Sequence, residues 1–209
     1  MSVDRYLELA LRPDVEALAE LVLEAVERDG PLGVYDSLLQ PALEEVGARW
    51  SRDELTVADE HLVTALTEQV LARMRPRQVG GPRAVVACTP DNEHRVGATM
   101  VADTLRLAGW DALLLGARTP MDDLAELCLA REARLVALSV GIEEELSVLA
   151  EQLTRLRDRL PPSVRILVGG GAVRRRPDWV APDGVTISSS VAGLFSLAGA
   201  AVATSGTVR

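Results

Sequence analysis

Asp91-Asn92-Glu93-His94-Arg95-Val96-Gly97 is the stretch that decides the fold. It follows an apolar run, Ala84-Val85-Val86-Ala87-Cys88, and precedes an amphipathic run that ends near residue 108. A polar loop between a strand and a helix is typical of an open α/β sheet, which binds ligands at the carboxyl ends of its strands. An imidazole on such a loop can bind a metal through one ring nitrogen while a neighbour holds the other. His94 is therefore the first candidate ligand.

The rest of the chain after residue 83 repeats this alternation of apolar strands and amphipathic helices. The pattern predicts strands at 83–89, 111–116, 134–140, 164–168 and 184–189, and helices at 96–109, 120–132, 143–160 and 191–204. Such alternation forms a doubly wound parallel sheet with right-handed crossovers. We therefore predict an α/β domain over 83–209, with a five-stranded, flavodoxin-like (Rossmann-like) sheet.

Residues 1–76 show helical periodicity and no strand pattern. Breaks at 29–31 and 51–53 separate helices, of which the later two are predicted at about 33–50 and 56–75, with Val57 among the buried residues of the last. This predicts an N-terminal four-helix bundle. The glycine- and proline-containing segment 76–82 is predicted to be the linker.

Composition limits the possible functions. The chain has 209 residues, 48% of them hydrophobic, and a formal charge of −9. An acidic chain is a poor nucleic-acid binder, and we interpret its one basic cluster, at 174–176, as a solvated loop. Cys88 and Cys128 fall in predicted element interiors, as in a reduced cytoplasmic protein. We find no signal peptide and no segment long enough to span a membrane.

Three sequence features fall at the carboxyl ends of the predicted strands. His94 and Gly97 form H-x-x-G after the first strand, Ser139 ends the third, and Gly169-Gly170 ends the fourth, with Gly171 following. A hydroxyl can bond to a ligand on the sheet edge, and glycines let a bulky group approach the backbone. Taken singly, these features also fit a surface histidine and an ordinary tight turn.

Together, the three features resemble the cobalamin-binding domain. That resemblance implies base-off/His-on binding, with His94 as the lower axial cobalt ligand. It also implies that Ser139 contacts the dimethylbenzimidazole and that Gly169 and Gly170 line the channel of the nucleotide tail. The family motif is usually D-x-H-x-x-G; here Asn92 takes the first position, and we expect its amide to orient the imidazole.

A second pattern lies in the bundle, where Trp50 is followed, after nine intervening residues, by Glu60-His61. A core tryptophan with a surface Glu-His pair would also explain it. The spacing resembles the helical cap of the CarH-type adenosylcobalamin-dependent photoreceptors. That resemblance implies that Trp50 shields the upper face of the corrin, that Glu60 binds the adenosyl ribose, and that His61 binds cobalt after photolysis.

The main hypothesis is a light sensor, not an enzyme, in which Co–C photolysis of adenosylcobalamin drives a conformational or oligomeric change. We expect it to lack the DNA-binding module of those photoreceptors, to contact neither nucleic acid nor membrane, and to act through a homo-oligomer or a signalling partner protein. The alternative is a corrinoid methyl carrier of a methyltransferase system. A bilin as second chromophore and a protein–protein module that has lost cobalamin are further possibilities.

Overall fold

A computed structural model describes residues 2–77 and 80–205, with the side chains of 200–205 excepted. The chain divides into two compact units, Met1–Arg75 and Pro76–Arg209. Two residues of the predicted linker, Gln78 and Val79, lie outside the described residues.

The first unit is helical, which confirms the predicted bundle. Its helices are α1 (Val3–Leu11), α2 (Val15–Val34), α3 (Gln40–Ser51) and α4 (Val57–Met74), with a π-helical turn at Tyr35–Leu39 between α2 and α3. The predicted break at 29–31 is a kink within α2, where Gly30 has φ 73° and ψ 164° and Pro31 restarts the helix.

Side-chain caps and a buried polar pair fix the ends and the packing of these helices. Ser2 and Asp14 cap α1 and α2, and Thr56 forms a capping box with Asp59 at the start of α4. The buried Tyr6 hydroxyl lies 2.7 Å from Thr67 Oγ1 and links α1 to α4. Val57, predicted to be buried, is 54% exposed because it is the first residue of α4 and precedes the packed turns.

The second unit is the predicted α/β domain. Its strands are β1 (Arg83–Cys88), β2 (Asp111–Gly116), β3 (Leu135–Ser139), β4 (Arg165–Gly169) and β5 (Val185–Ser188). They form one parallel sheet in the order β2-β1-β3-β4-β5, which confirms the flavodoxin-like prediction. Its helices are α5 (Arg95–Leu107), α6 (Met121–Ala130), α7 (Leu146–Arg159), α8 (Gly171–Arg175) and α9 (Val191–Ser205), with a 3₁₀ turn at Glu143–Glu145.

Side chains of each central strand alternate between two cores. Val85 and Ala87 pack in the cluster that contains α6 and α7, whereas Val86 packs in the cluster that contains α5 and α9. In the second cluster the Trp110 indole donates to the Ala198 carbonyl at 3.1 Å. The central strands are thus buried on both faces, as doubly wound sheets require.

Two details of this unit differ from or extend the predictions. The segment 174–176 is not simply a solvated loop, because Arg174 and Arg175 belong to α8, and Arg175 bonds to Glu143 at 2.7 Å and to the Gly141 carbonyl at 3.1 Å. Cys88 and Cys128 are free, buried thiols whose pKa values burial raises to about 12.

Among the described residues, no helix has the length and apolarity needed to cross a membrane.

Candidate functional site

The sheet register brings the predicted residues of the α/β unit to one edge. Cys88 pairs with Ser139, Ser139 with Gly169, and Gly169 with Ser188, so the last residues of four strands form one row. This row lies at the carboxyl edge of the sheet, below the loop that carries His94. The sequence patterns therefore converge on one surface, as the strand assignment predicted.

Asn92 is the structural centre of the loop between β1 and α5. It is 0% exposed, and its Nδ2 donates to the Ser139 carbonyl at 3.0 Å while its Oδ1 accepts from the His94 backbone N–H at 2.8 Å. Its own backbone bonds to Thr89 and Arg118. The amide thus holds the backbone of His94, and the expected orientation of the ring by this amide stays a prediction.

His94 is the N-cap residue of α5 and its side chain is exposed. Within residues 2–77 and 80–205, its ring nitrogens make no hydrogen bond. The loop therefore fixes the backbone of His94 and leaves the imidazole available to a ligand. Both ring nitrogens can act, one toward a metal and one toward an acceptor.

Gly97 and Ser139 are in contact, which gives the H-x-x-G spacing a physical reason. A Cβ atom on Gly97 would lie 2.9 Å from the Ser139 Oγ, so a larger residue would force this hydroxyl to move. Ser139 is 4% exposed, and no described residue forms a hydrogen bond with its hydroxyl. A hydroxyl without a protein partner has a donor and acceptor to offer a bound molecule.

Gly169 and Gly170 are required by the backbone around them. A Cβ atom on Gly169 would meet the Ser188 carbonyl, and one on Gly170 would meet the Val140 backbone. Gly170 also has φ 114°, a conformation that residues with a side chain rarely adopt. The groups that approach these glycines in the structure are therefore neighbouring strand ends, and a role toward a nucleotide tail stays a prediction.

Glu145 lies beside the His94 loop and is not among the residues that the sequence predicted for the site. It falls at the start of the helix predicted at 143–160, yet it is 8% exposed and its Oε2 accepts from the Thr89 hydroxyl. Burial raises the pKa of Glu145; Asp91 and Glu144 also raise it, whereas Thr89 and His94 lower it. The one available signal was its position soon after β3, at the carboxyl edge of the sheet.

In the helical unit, Trp50, Glu60 and His61 lie near the turn that joins α3 to α4. Trp50 is in the last turn of α3 and is 50% exposed. The Asp53 N–H donates to its carbonyl at 3.0 Å, and Asp53 has φ 59°, which reverses the chain direction. Glu60 and His61 follow in the first turns of α4, so all three residues belong to the same end of the bundle.

Glu60 and His61 form a carboxylate–imidazole pair. Glu60 Oε2 lies 2.5 Å from His61 Nδ1, and Glu60 Oε1 accepts from the Thr64 hydroxyl at 2.9 Å. The His61 side chain is 74% exposed, against 19% for Glu60. A carboxylate that holds one ring nitrogen leaves the other free and directs it outward, which is how metal-ligating histidines are commonly supported.

The histidines do not form a conventional protein metal site. Within the described residues there is no group of three or more His, Cys, Asp or Glu side chains that could hold a metal ion. A macrocycle that supplies its own equatorial nitrogens needs only an axial ligand from the protein. A single free imidazole on the sheet edge fits that requirement.

Both units match family models described as B12 binding domains, one over residues 3–75 and the other over residues 82–190. The chain is 36% identical over 165 residues to the HTH-type transcriptional repressor CarH of Myxococcus xanthus, an alignment that covers 78% of this chain and 54% of that protein. It is 34% identical over 150 residues to the repressor CarA of the same organism, covering 66% and 47%. The chain thus spans about half the length of these curated relatives.

A solved structure, the monomethylamine corrinoid protein of Methanosarcina barkeri, superposes with a TM-score of 0.72 at 16% identity, covering 94% of this chain and 96% of that one. At this identity the likeness concerns the fold, a helical cap followed by a Rossmann-like domain. With both family models matched, the chain belongs to the B12-binding domain family and is a CarH-like cobalamin-binding protein.

Proposed function

We propose that the protein is a light sensor that binds adenosylcobalamin base-off/His-on. The observation that carries this proposal is the Glu60–His61 pair, in which a carboxylate holds one nitrogen of an exposed imidazole. With His94 it provides a second histidine able to ligate cobalt, as the resemblance to the CarH-type photoreceptors implies. The bound cofactor would supply a Co–C bond that visible light breaks.

The residues at the sheet edge fit the lower side of this cofactor. His94 offers a ring without intramolecular hydrogen bonds within the described residues, so it can act as the lower axial ligand without breaking an existing interaction. Ser139 offers an unpartnered hydroxyl to the dimethylbenzimidazole, and Gly97 leaves the space that this hydroxyl occupies. Gly169 and Gly170 would border the nucleotide tail.

The resemblance to the CarH-type photoreceptors assigns the residues at the end of the bundle to the upper side of the cofactor. Trp50 would cover the adenosyl group with its half-exposed indole. Glu60 would bind the ribose through the lone pairs that Thr64 and His61 leave free. When the adenosyl group leaves, the unengaged nitrogen of His61 would bind in its place, which makes the ligand set depend on illumination.

The output of this sensor would be a changed oligomeric state or a changed contact with a signalling partner in the cytoplasm. The similar proteins named as HTH-type repressors are regulators, which supports a regulatory role over an enzymatic one. The acidic charge of −9 leads us to propose that this chain itself does not contact DNA. The bilin hypothesis finds no support in these similarities and stays untested.

The test is an absorption spectrum of the full chain loaded with adenosylcobalamin in the dark, repeated after green illumination. We expect a light-dependent change to a bis-imidazole spectrum in the wild type and in Gln69→Ala, an exposed control on the same helix. His61→Ala should photolyse without giving that product. Identical dark and light spectra would refute light sensing, and a light product independent of His61 would instead favour the methyl-carrier alternative.

A further inference from the structure

One buried carboxylate beside the His94 loop has an unused hydrogen-bonding atom. The Oε2 of Glu145 accepts from the Thr89 hydroxyl, whereas its Oε1 is inaccessible to solvent and has no partner among the described residues. Glu145 as a whole is 8% exposed. A buried polar atom without a partner is unfavourable, and in a folded protein it calls for an explanation such as a ligand or a second conformation of a neighbour.

The segment that carries Glu145 packs against the loop that carries His94. A Cβ atom on Gly141 would lie 3.1 Å from the Asn92 Oδ1 and 3.4 Å from the His94 Cβ, so residue 141 lies directly beside both. Four residues later, Glu145 bonds to Thr89 at the other end of the same loop. The charge of His94 acts on Glu145, as do those of Asp91 and Glu144.

The other candidate to support the imidazole is already engaged. Asn92 uses its Nδ2 for the Ser139 carbonyl and its Oδ1 for the His94 backbone. A histidine that ligates a metal through one nitrogen usually donates its other N–H to a carboxylate, a carbonyl or water. The neighbouring group with a free, buried acceptor is the Oε1 of Glu145.

We infer that Glu145 is the positioning residue for His94: its free Oε1 accepts the hydrogen bond of the His94 ring N–H when the other ring nitrogen binds cobalt. This inference rests on the proposed binding of cobalamin through His94. It assigns to Glu145 the supporting role that the family motif would assign to position 92. Thr89 holds the carboxylate in place through its second oxygen.

The first test compares cobalamin affinity of the full chain with that of Glu145→Met, which has a similar length and no oxygen acceptor, and of Glu144→Met, an exposed control that makes the same change one residue away. Loss of an outer hydrogen-bond partner lowers metal affinity about 10- to 100-fold, which we expect for Glu145→Met only. The melting temperature of the cofactor-free Glu145→Met variant should not fall. Unchanged affinity, or an affinity loss matched by a lower melting temperature of the cofactor-free protein, would overturn the inference.

A second readout does not depend on affinity. In the cob(III)alamin-bound protein, the ¹H–¹⁵N spectrum of the histidine rings should contain a His94 N–H that exchanges slowly with water, assigned with the help of His61→Ala. This signal should be lost in Glu145→Met and kept in Glu144→Met. If the wild type binds cobalamin through His94 and Glu145→Met keeps the signal, this inference fails while the proposed function stands. If the wild type does not bind cobalamin, both fail.

Discussion

Replacing Asn92 by aspartate, the usual family residue at this position, should destabilise the α/β unit at neutral pH. Asn92 is 0% exposed and its Nδ2 donates to the Ser139 carbonyl at 3.0 Å. An ionised carboxylate has no donor, so one of its oxygens would face that carbonyl without a partner. An unsatisfied buried group costs about 1–3 kcal/mol, and more when it is charged. We expect a loss of about 3 kcal/mol at pH 7, a large part of the stability typical of a domain.

Urea unfolding of the full chain, followed by the fluorescence of its three tryptophans, of which Trp110 is buried in this unit, measures this loss. A protonated carboxyl can donate to Ser139, so the pKa of the new aspartate should be raised in the folded state. The stability that the protonated aspartate contributes is then present below the unfolded-state pKa and lost as pH rises through the folded-state pKa. The difference in the free energy of unfolding between wild type and Asn92→Asp should therefore be smaller at pH 5 than at pH 7. Asp91→Asn, at an exposed neighbouring position, is the control and should change little. Equal stability of wild type and Asn92→Asp at pH 7 would refute the assigned role of the amide.

Two further predictions concern packing and titration. Gly170→Ala should lower the free energy of unfolding more than Gly109→Ala does. Both glycines have a positive φ, which costs an alanine about 1–3 kcal/mol. A Cβ atom at Gly170 also meets the Val140 backbone, and this overpacking adds about 1–3 kcal/mol. Equal losses in urea unfolding would contradict this account. Burial raises the pKa of Tyr6 to about 12 in the folded protein. The stability that the neutral Tyr6 phenol contributes should therefore be complete below about pH 10, the pKa of an unfolded tyrosine, and should be lost as pH rises toward the pKa of the folded state. Far-UV circular dichroism in urea should detect this decline in the wild type, and an equal decline in Tyr6→Phe would exclude Tyr6 as its cause.

The sheet was predictable because its central strands are buried on both faces. Runs such as Ala84–Cys88 are continuously apolar, since alternate side chains enter different cores, and polar loops follow each run. Because parallel strands place their carboxyl ends at one edge, the positions of His94, Ser139 and Gly169 in the chain were enough to predict that they share a surface.

The partners of buried polar groups could not be predicted in the same way. The amide of Asn92 bonds across 47 residues to Ser139, and Glu145 bonds across 56 residues to Thr89. Such pairs depend on the tertiary arrangement of loops, and no local periodicity reports on them. A run of three glutamates at the start of a helix is explained by the helix dipole, and only the structure shows that its last member is buried.

The measurement that tests the central claim most directly is the electron paramagnetic resonance spectrum of cob(II)alamin bound to the full chain, with and without ¹⁵N-labelled histidine. An axial ¹⁴N ligand splits the cobalt lines into triplets and an axial ¹⁵N ligand into doublets. We predict that histidine labelling changes triplets into doublets, and that this nitrogen splitting is lost in His94→Ala but kept in His61→Ala. Triplets that persist after labelling would mean that the cofactor keeps its own dimethylbenzimidazole, and would contradict His-on binding by His94.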